Sequence, residues 1–273
     1  MRKRTTLGGL AGLAALGLAT LAAAPAGAQT SDTASLTVLH GVPDTVVDVY
    51  VNGALTLDDF TPGTVAGPLD LAAGPYTIAI TASDAADDSA PVIGPVDVTL
   101  ESGMSYTAAA HLDTAGAPTA TFFTNDTAAT AAGEGRLTVR HVAAAPAVDV
   151  LAGGTAVING LENPDEAILN LPAGTISASV AAAGTTDPLI GPADVTVEEG
   201  VNTIVYAWGS LDAGNLALAV QTVDATHSAP AGVPTGLTEV PAEAGIGAAA
   251  SIALVLAIAA FGALGVRAVA TRR

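Results

Sequence analysis

The chain has 273 residues, half of them hydrophobic, with eight basic residues against 26 acids and no cysteine. That apolar fraction suffices for packed cores and excludes global disorder, while the lack of cysteine excludes disulfides, thiolate metal sites and a cysteine nucleophile. All the acids lie between Asp32 and Glu243, where only Arg136 and Arg140 oppose them, and a surface so acidic repels nucleic acid and anionic lipid.

A solvated coat that keeps an exposed protein soluble is the simplest use of this charge; adaptation to high salt and loose divalent-cation binding are the alternatives. The apolar half is mostly Ala and Val, and aromatics make up 3% of the chain, which favours thin sheet cores over large ring-lined cavities.

At the N-terminus a basic stretch (Arg2, Lys3, Arg4) precedes an apolar run from Leu7 to Ala24 and then Ala26-Gly27-Ala28. Small residues at the first and third places before a cut are what signal peptidase accepts, so residues 1–28 are read as a signal peptide cleaved after Ala28.

The body of the chain is a repeat. Leu36-Thr37-Val38-Leu39-His40 returns as Leu137-Thr138-Val139-Arg140-His141, and Val47-Asp48-Val49 as Val148-Asp149-Val150, both displaced by 101. Leu69 to Gly74 matches Leu169 to Gly174 with a displacement of 100, and Pro91 to Thr99 matches Pro188 to Thr196 with one of 97. Constant order with small drift is what two homologous domains with different loop lengths produce. Within each copy, short Val-, Ile-, Thr- and Tyr-rich runs alternate with Gly, Pro, Asn and Asp, the pattern of a sandwich or barrel. The expected fold is therefore all-β: two tandem antiparallel, immunoglobulin-like β-sandwich modules of seven or eight strands, spanning 35–124 and 136–223. Asn52-Gly53 is expected to turn a tight hairpin, because both residues tolerate positive φ.

Residues 125–135, rich in Ala, Thr and Gly, read as a linker, and 224–245, with Pro230, Pro234 and Pro241, as a semi-extended stalk. From Ile246 to Val266 no charge occurs over 21 residues, about 31 Å at ~1.5 Å per residue, enough to span a bilayer's hydrocarbon core. Arg267, Arg272 and Arg273 follow, so the positive-inside bias puts the tail (267–273) in the cytoplasm and the modules outside. The expected location is the cell membrane, with a single pass. A covalent wall-sorting signal is disfavoured, since Val233-Pro234-Thr235-Gly236 sets proline directly beside threonine.

The stretch His40-Gly41-Val42-Pro43-Asp44-Thr45-Val46-Val47-Asp48-Val49-Tyr50-Val51-Asn52-Gly53, with the later Leu71-Ala72-Ala73-Gly74-Pro75-Tyr76, resembles the signature of the domain-of-unknown-function 4397 family. The second copy keeps His141, Pro146, Val148, Asp149 and Val150 and puts Leu151 at the tyrosine position. The resemblance covers nearly the whole segment between the two ends and implies tandem modules of a secreted or surface-attached bacterial protein. It implies no mechanism.

Four groups of residues carry candidate chemistry. His40 and His141 each precede an equivalent aspartate, Asp48 or Asp149, by eight residues, which reads as a structural pair fixing a hairpin in preference to two metal ligands. Asp58-Asp59, and Asp84 with Asp87 and Asp88, read as clustered loop acids whose carboxylates offer oxygens to calcium, with Asp84, Asp87 and Asp88 the candidate metal ligands; solvated loop charge is the preferred reading of both clusters, since no Asp-x-Asp-x-Asp-Gly loop occurs. Tyr206 and Trp208 alternate on one strand, with Tyr106 near the corresponding place in the first copy; this pattern offers a sugar-stacking face or, preferably, a core position. Motifs for a serine-hydrolase elbow, a zinc protease, a phosphate loop or a dinucleotide fold are missing.

These features point to a non-enzymatic surface protein that contacts an envelope polymer or protein partner and uses no cofactor or nucleic acid. A carbohydrate- or calcium-dependent adhesive module is the second reading, and a hydrolase the third.

Overall fold

The structure, a computed structural model, describes residues 32–225. The expected signal peptide, the stalk beyond Ala225, His227, the apolar span at 246–266 and the basic tail lie outside the described residues. The described part is made of sixteen β-strands and contains no helix.

The first eight strands are β1 (Thr33–His40), β2 (Val47–Val51), β3 (Ala54–Phe60), β4 (Val65–Ala72), β5 (Gly74–Ala82), β6 (Ile93–Leu100), β7 (Ser105–Leu112) and β8 (Pro118–Thr124). The second eight are β9 (Glu134–Ala144), β10 (Val148–Ala152), β11 (Thr155–Leu161), β12 (Glu166–Pro172), β13 (Gly174–Ala182), β14 (Pro188–Val197), β15 (Val201–Ser210) and β16 (Ala217–Asp224).

Each octet folds into two four-stranded sheets with the same order. In the first module β4-β1-β7-β8 packs against β3-β2-β5-β6, and in the second β12-β9-β15-β16 packs against β11-β10-β13-β14. The sandwich expectation holds at this level, but the sheets are not wholly antiparallel: β1 runs parallel to β7, and β9 to β15. The chain between the paired strands passes through the other sheet and returns, the long crossover that a parallel pair needs. This division also differs from the four-plus-three arrangement of an immunoglobulin constant domain.

Local chemistry accounts for the details. Asn52 and Gly53 have φ of 51° and 76°, so the two-residue hairpin forms as expected, and Gly153-Gly154 makes the same turn in the second copy. The repeated Ile-Gly-Pro step marks a bulge: β6 shifts register on β5 between Ile78 and Ile80, and β14 on β13 between Ala178 and Val180. Gly94 and Gly191 sit there at φ near 90°, each with its missing Cβ 2.8 Å from a carbonyl of the neighbouring strand, a fit open only to glycine.

The two modules share a third core. Leu36, Val38, Tyr106, Ala108 and Ala110 turn into the first sandwich, and Leu137, Val139 and Val205 into the second. Between the sandwiches, Leu39, Ala109 and Phe123 meet Val142, Ile204, Tyr206 and Ala219. The inner sheets are thus covered on both faces, and β1, β7, β9 and β15 lose the in-out alternation that β12 and β14 keep. The segment joining the modules is pinned: Asn125 and Thr130 are buried, and the Asp126 carbonyl accepts from Arg136 and Asn202.

Trp208 closes one side of this seam. Its Cβ lies 3.3 Å from where a Cβ on Gly41 would stand, and its ring would be 2.7 Å from one on Gly63, whose φ of 76° is itself left-handed. Replacing Gly63 therefore strains the backbone and displaces the indole. Gly63→Ala is expected to destabilise the protein by about 1–3 kcal/mol in urea unfolding followed by Trp208 emission. Far-UV circular dichroism is expected to report the same midpoint as the emission, because the shared core couples the modules; two separate midpoints would show independent unfolding.

Candidate functional site

The seam holds both arginines of the described residues. Arg140, 1% exposed, projects from β9 toward the first module. Its Nε donates to Glu166 Oε2 at 2.8 Å, one Nη donates to the Tyr206 hydroxyl at 2.8 Å, and its guanidinium carbon stands 4.2 Å from the centroid of the Phe123 ring. Removing a guanidinium from water costs several kcal/mol, so the ion pair, the phenol and the ring face are all needed as offsets. Glu166 lies directly across from Arg140 in the β9/β12 ladder, which places the carboxylate without a loop.

From Tyr206 the polar chain continues across the seam. The Tyr206 hydroxyl donates to Gln221 Oε1 at 2.7 Å. The Thr107 hydroxyl, from the first module, lies 3.1 Å from both Gln221 Oε1 and Asn125 Oδ1 and has one proton to give. Burial pushes the Tyr206 phenol above its ordinary range, against the pull of Arg140, so it stays a donor. Arg136 forms the second knot, with its Nη1 3.2 Å from Asp126 Oδ1 and donating to the Asp126 and Ala128 carbonyls.

The aromatic residues thus serve the seam. Tyr206 is fully buried and Trp208 packs over Gly41 and Gly63, so neither ring stands out as a sugar platform, and neither lies inside its own sandwich. Tyr106 is not their counterpart: ladder register aligns it with Thr203, so it turns into the first core and stacks on Phe122 at 5.0 Å.

The histidines and aspartates do not pair as expected. His40 Nε2 donates to the Thr45 carbonyl at 2.7 Å while Nδ1 faces the Val42 amide, and His141 does the same with Pro146 at 3.0 Å and Ala143. Each ring fastens the loop leading to the next strand. Asp48 instead accepts the Asp59 amide at 2.9 Å, and Asp149 accepts Gly160 and Gly184, both at 2.7 Å. The eight-residue spacing is real, but the β1–β2 loop consumes the imidazole before the aspartate begins its strand. His111 is held by the Leu112 carbonyl and the Thr121 hydroxyl, both at 2.8 Å.

Among the acids, the three that converge are Asp48, Asp58 and Asp59, each offering an oxygen within 4.8 Å of the others. Asp84, Asp87 and Asp88 form no such trio among the described residues. Asp87 and Asp88 still reach the same corner: burial raises the Tyr50 phenol, and the charges of Asp48, Asp87, Asp88 and Asp58 raise it further. The sequence pattern pairs Asp48 with His40 and puts Asp58 and Asp59 in a loop; the three acids meet because Asp58 and Asp59 lie on β3, beside Asp48 in the β2/β3 ladder.

Two open grooves mark the ends of the seam. One of about 560 Å³ is lined by Ser35, Asp70, Ser105, Thr127 and Asp224, among others. The other, about 440 Å³, is lined by Thr114, Pro146, Glu162, Asn163 and Asp212 among others, at the opposite ends of the inner strands. Asn163 ties the modules beside it by donating to the Leu112 and Ala143 carbonyls.

A family model described as Domain of unknown function (DUF4397) matches residues 34–151 and 142–234. No curated protein matches the chain.

The buried imidazoles set a pH limit. Burial holds His40, His111 and His141 below the ordinary value of 6.5, so each is neutral when folded and the unfolded chain binds more protons below that pH. Their contribution to stability is complete above pH 6.5 and is lost as pH falls beneath it, by at most about 1.4 kcal/mol per pH unit for each histidine. Thermal melts between pH 7.5 and 5 are expected to show a falling melting temperature before the carboxylates titrate. His141→Gln is expected to flatten that fall.

Proposed function

The chain belongs to the family described as Domain of unknown function (DUF4397), and from that premise we infer that it is a non-enzymatic surface protein displaying a fused pair of acidic β-sandwiches. In this reading residues 246–266 form a single membrane-spanning helix, the modules stand outside the cell on the 224–245 stalk, and the C-terminus is cytoplasmic. The partner is an envelope polymer or another protein.

The observation that carries this reading is where the polar side chains spend their hydrogen bonds. His40, His111 and His141 fasten loops, Asp149 caps two backbone amides, and Arg140, Tyr206, Gln221 and Thr107 join the modules. Such groups would be the first candidates for acid-base or nucleophilic work, and here they act as mortar. The outer surface carries the excess of acids, suited to staying soluble at high local density.

Two measurements test the reading. Removing residues 246–273 is expected to release the modules into the medium, and their persistence in the membrane fraction would count against a C-terminal anchor. The segment from Gln29 to Glu243 is expected to sediment with isolated cell-wall material; failure to do so, with and without chelator, would turn attention to a protein partner.

A further inference from the structure

We propose that Asp48, Asp58, Asp59 and Thr81 of the first module form a binding site for a divalent cation of the calcium class. The proposal does not depend on the surface-display reading, since it concerns binding by the folded module wherever the chain resides.

Asp48 on β2 stands directly across from Thr81 on β5, so both side chains leave the same face of the outer sheet, the one turned away from the sandwich core. Asp48 is 4% exposed and Thr81 0%, whereas Asp58 and Asp59 lie open to solvent. Three carboxylate oxygens within 4.8 Å of one another are the hard, oxygen-only donor set that calcium accepts. Beside them, the Thr81 hydroxyl is buried with no hydrogen-bond partner among the described residues, a desolvation cost that a ligand there would offset.

The second module is an internal control. The same strands carry Ala181 across from Asp149, with Asn159 and Gly160 at the positions of Asp58 and Asp59. Asp149 is saturated by two backbone amides, from Gly160 and Gly184. Among the described residues Asp48 receives one backbone amide, from Asp59, and the position of Gly184 is taken by Asp84. Where the second module neutralises its buried aspartate with backbone donors, the first removes one donor and adds two carboxylates and a hydroxyl. Protein cations do not balance them: Arg136 and Arg140, the basic residues of the described segment, are engaged with Asp126 of the joining segment and with Glu166 of β12.

Tyr50 supplies a reporter, because its phenol feels the charges of Asp48 and Asp58. In the full chain stripped with chelator, calorimetric titration with calcium is expected to show one saturable site with a Kd of about 10⁻⁴–10⁻³ M, the range of extracellular modules. Terbium bound there is expected to luminesce on excitation of the tyrosine band and to be displaced by calcium. The double variant Asp58→Asn with Asp59→Gly, which writes the second module's residues into the first, is expected to bind calcium at least about tenfold more weakly and to melt no lower than the parent in chelator. Thr81→Ala is expected to weaken binding as well, and Tyr50→Phe to keep the calcium heat while losing the terbium signal. Absence of a saturable site in the unaltered chain, or undiminished affinity in the double variant, overturns the proposal.

Discussion

Everything in the described body depends on two sheets being buried on both faces. Each module alone would be an ordinary sandwich with one apolar interior and a wetted exterior. Here the β4-β1-β7-β8 sheet of one lies against the β12-β9-β15-β16 sheet of the other, and the polar side chains enclosed there pair largely with one another, leaving Arg136 Nε, Trp208 Nε1 and Gln221 Nε2 without a partner among the described residues. The ladders align Leu39 with Arg140, Ala109 with Tyr206, Phe123 with Gln221 and His111 with Trp208. Homologous faces therefore meet with unlike side chains. The smaller, less polar set comes from the first module; the second supplies the long side chains that reach across. Arg140 is tolerated because Glu166, Tyr206 and Phe123 surround it at hydrogen-bond or ring-contact distance.

The duplication separates what the framework needs from what one copy has added. Both copies keep the imidazole that staples the loop after the first strand, the aspartate that accepts an amide from the third strand, and the Ile-Gly-Pro bulge. These shared features are architectural, since each satisfies backbone in the same place twice. The differences concentrate at the seam and at the corner of Asp48. At that corner Asp59 holds φ of 51° where the other copy has Gly160, so the first module accepts a strained backbone to present a carboxylate.

Much of the architecture could be read along the chain. The repeat, the turn at Asn52-Gly53 and the β-rich punctuation rest on local chemistry: a left-handed turn wants Asn-Gly, and a bulge wants glycine before proline. Strand direction was less legible. Nothing in the spacing distinguishes a first strand paired antiparallel with a neighbour from one lying parallel to the seventh, because that choice is made by the crossover. The seam does leave a trace in the local pattern. Ile204 to Trp208 forms a nearly unbroken apolar run, and Leu36 to Leu39 is broken only by Thr37, the mark of strands covered on both sides. A pair of arginines isolated among so many acids is the second trace.

By itself, then, the sequence determined the β-rich class and the turns, which follow from side-chain periodicity and backbone tolerance within a few tens of residues, and the duplication and the family, which follow from motifs that recur about a hundred residues apart and from their resemblance to the family signature. The tertiary structure alone decided which polar groups are partners. His40 and Asp48 are eight residues apart and serve different backbones, while Thr107 and Gln221 are 114 apart and meet at 3.1 Å. Asp48 and Asp58 were likewise brought together by the β2/β3 hairpin, and Thr81 by the β2/β5 ladder. Hydrogen bonds and charge clusters depend on distances in space, which ladder register and sheet stacking set, and neither of these is written in the local pattern of the chain.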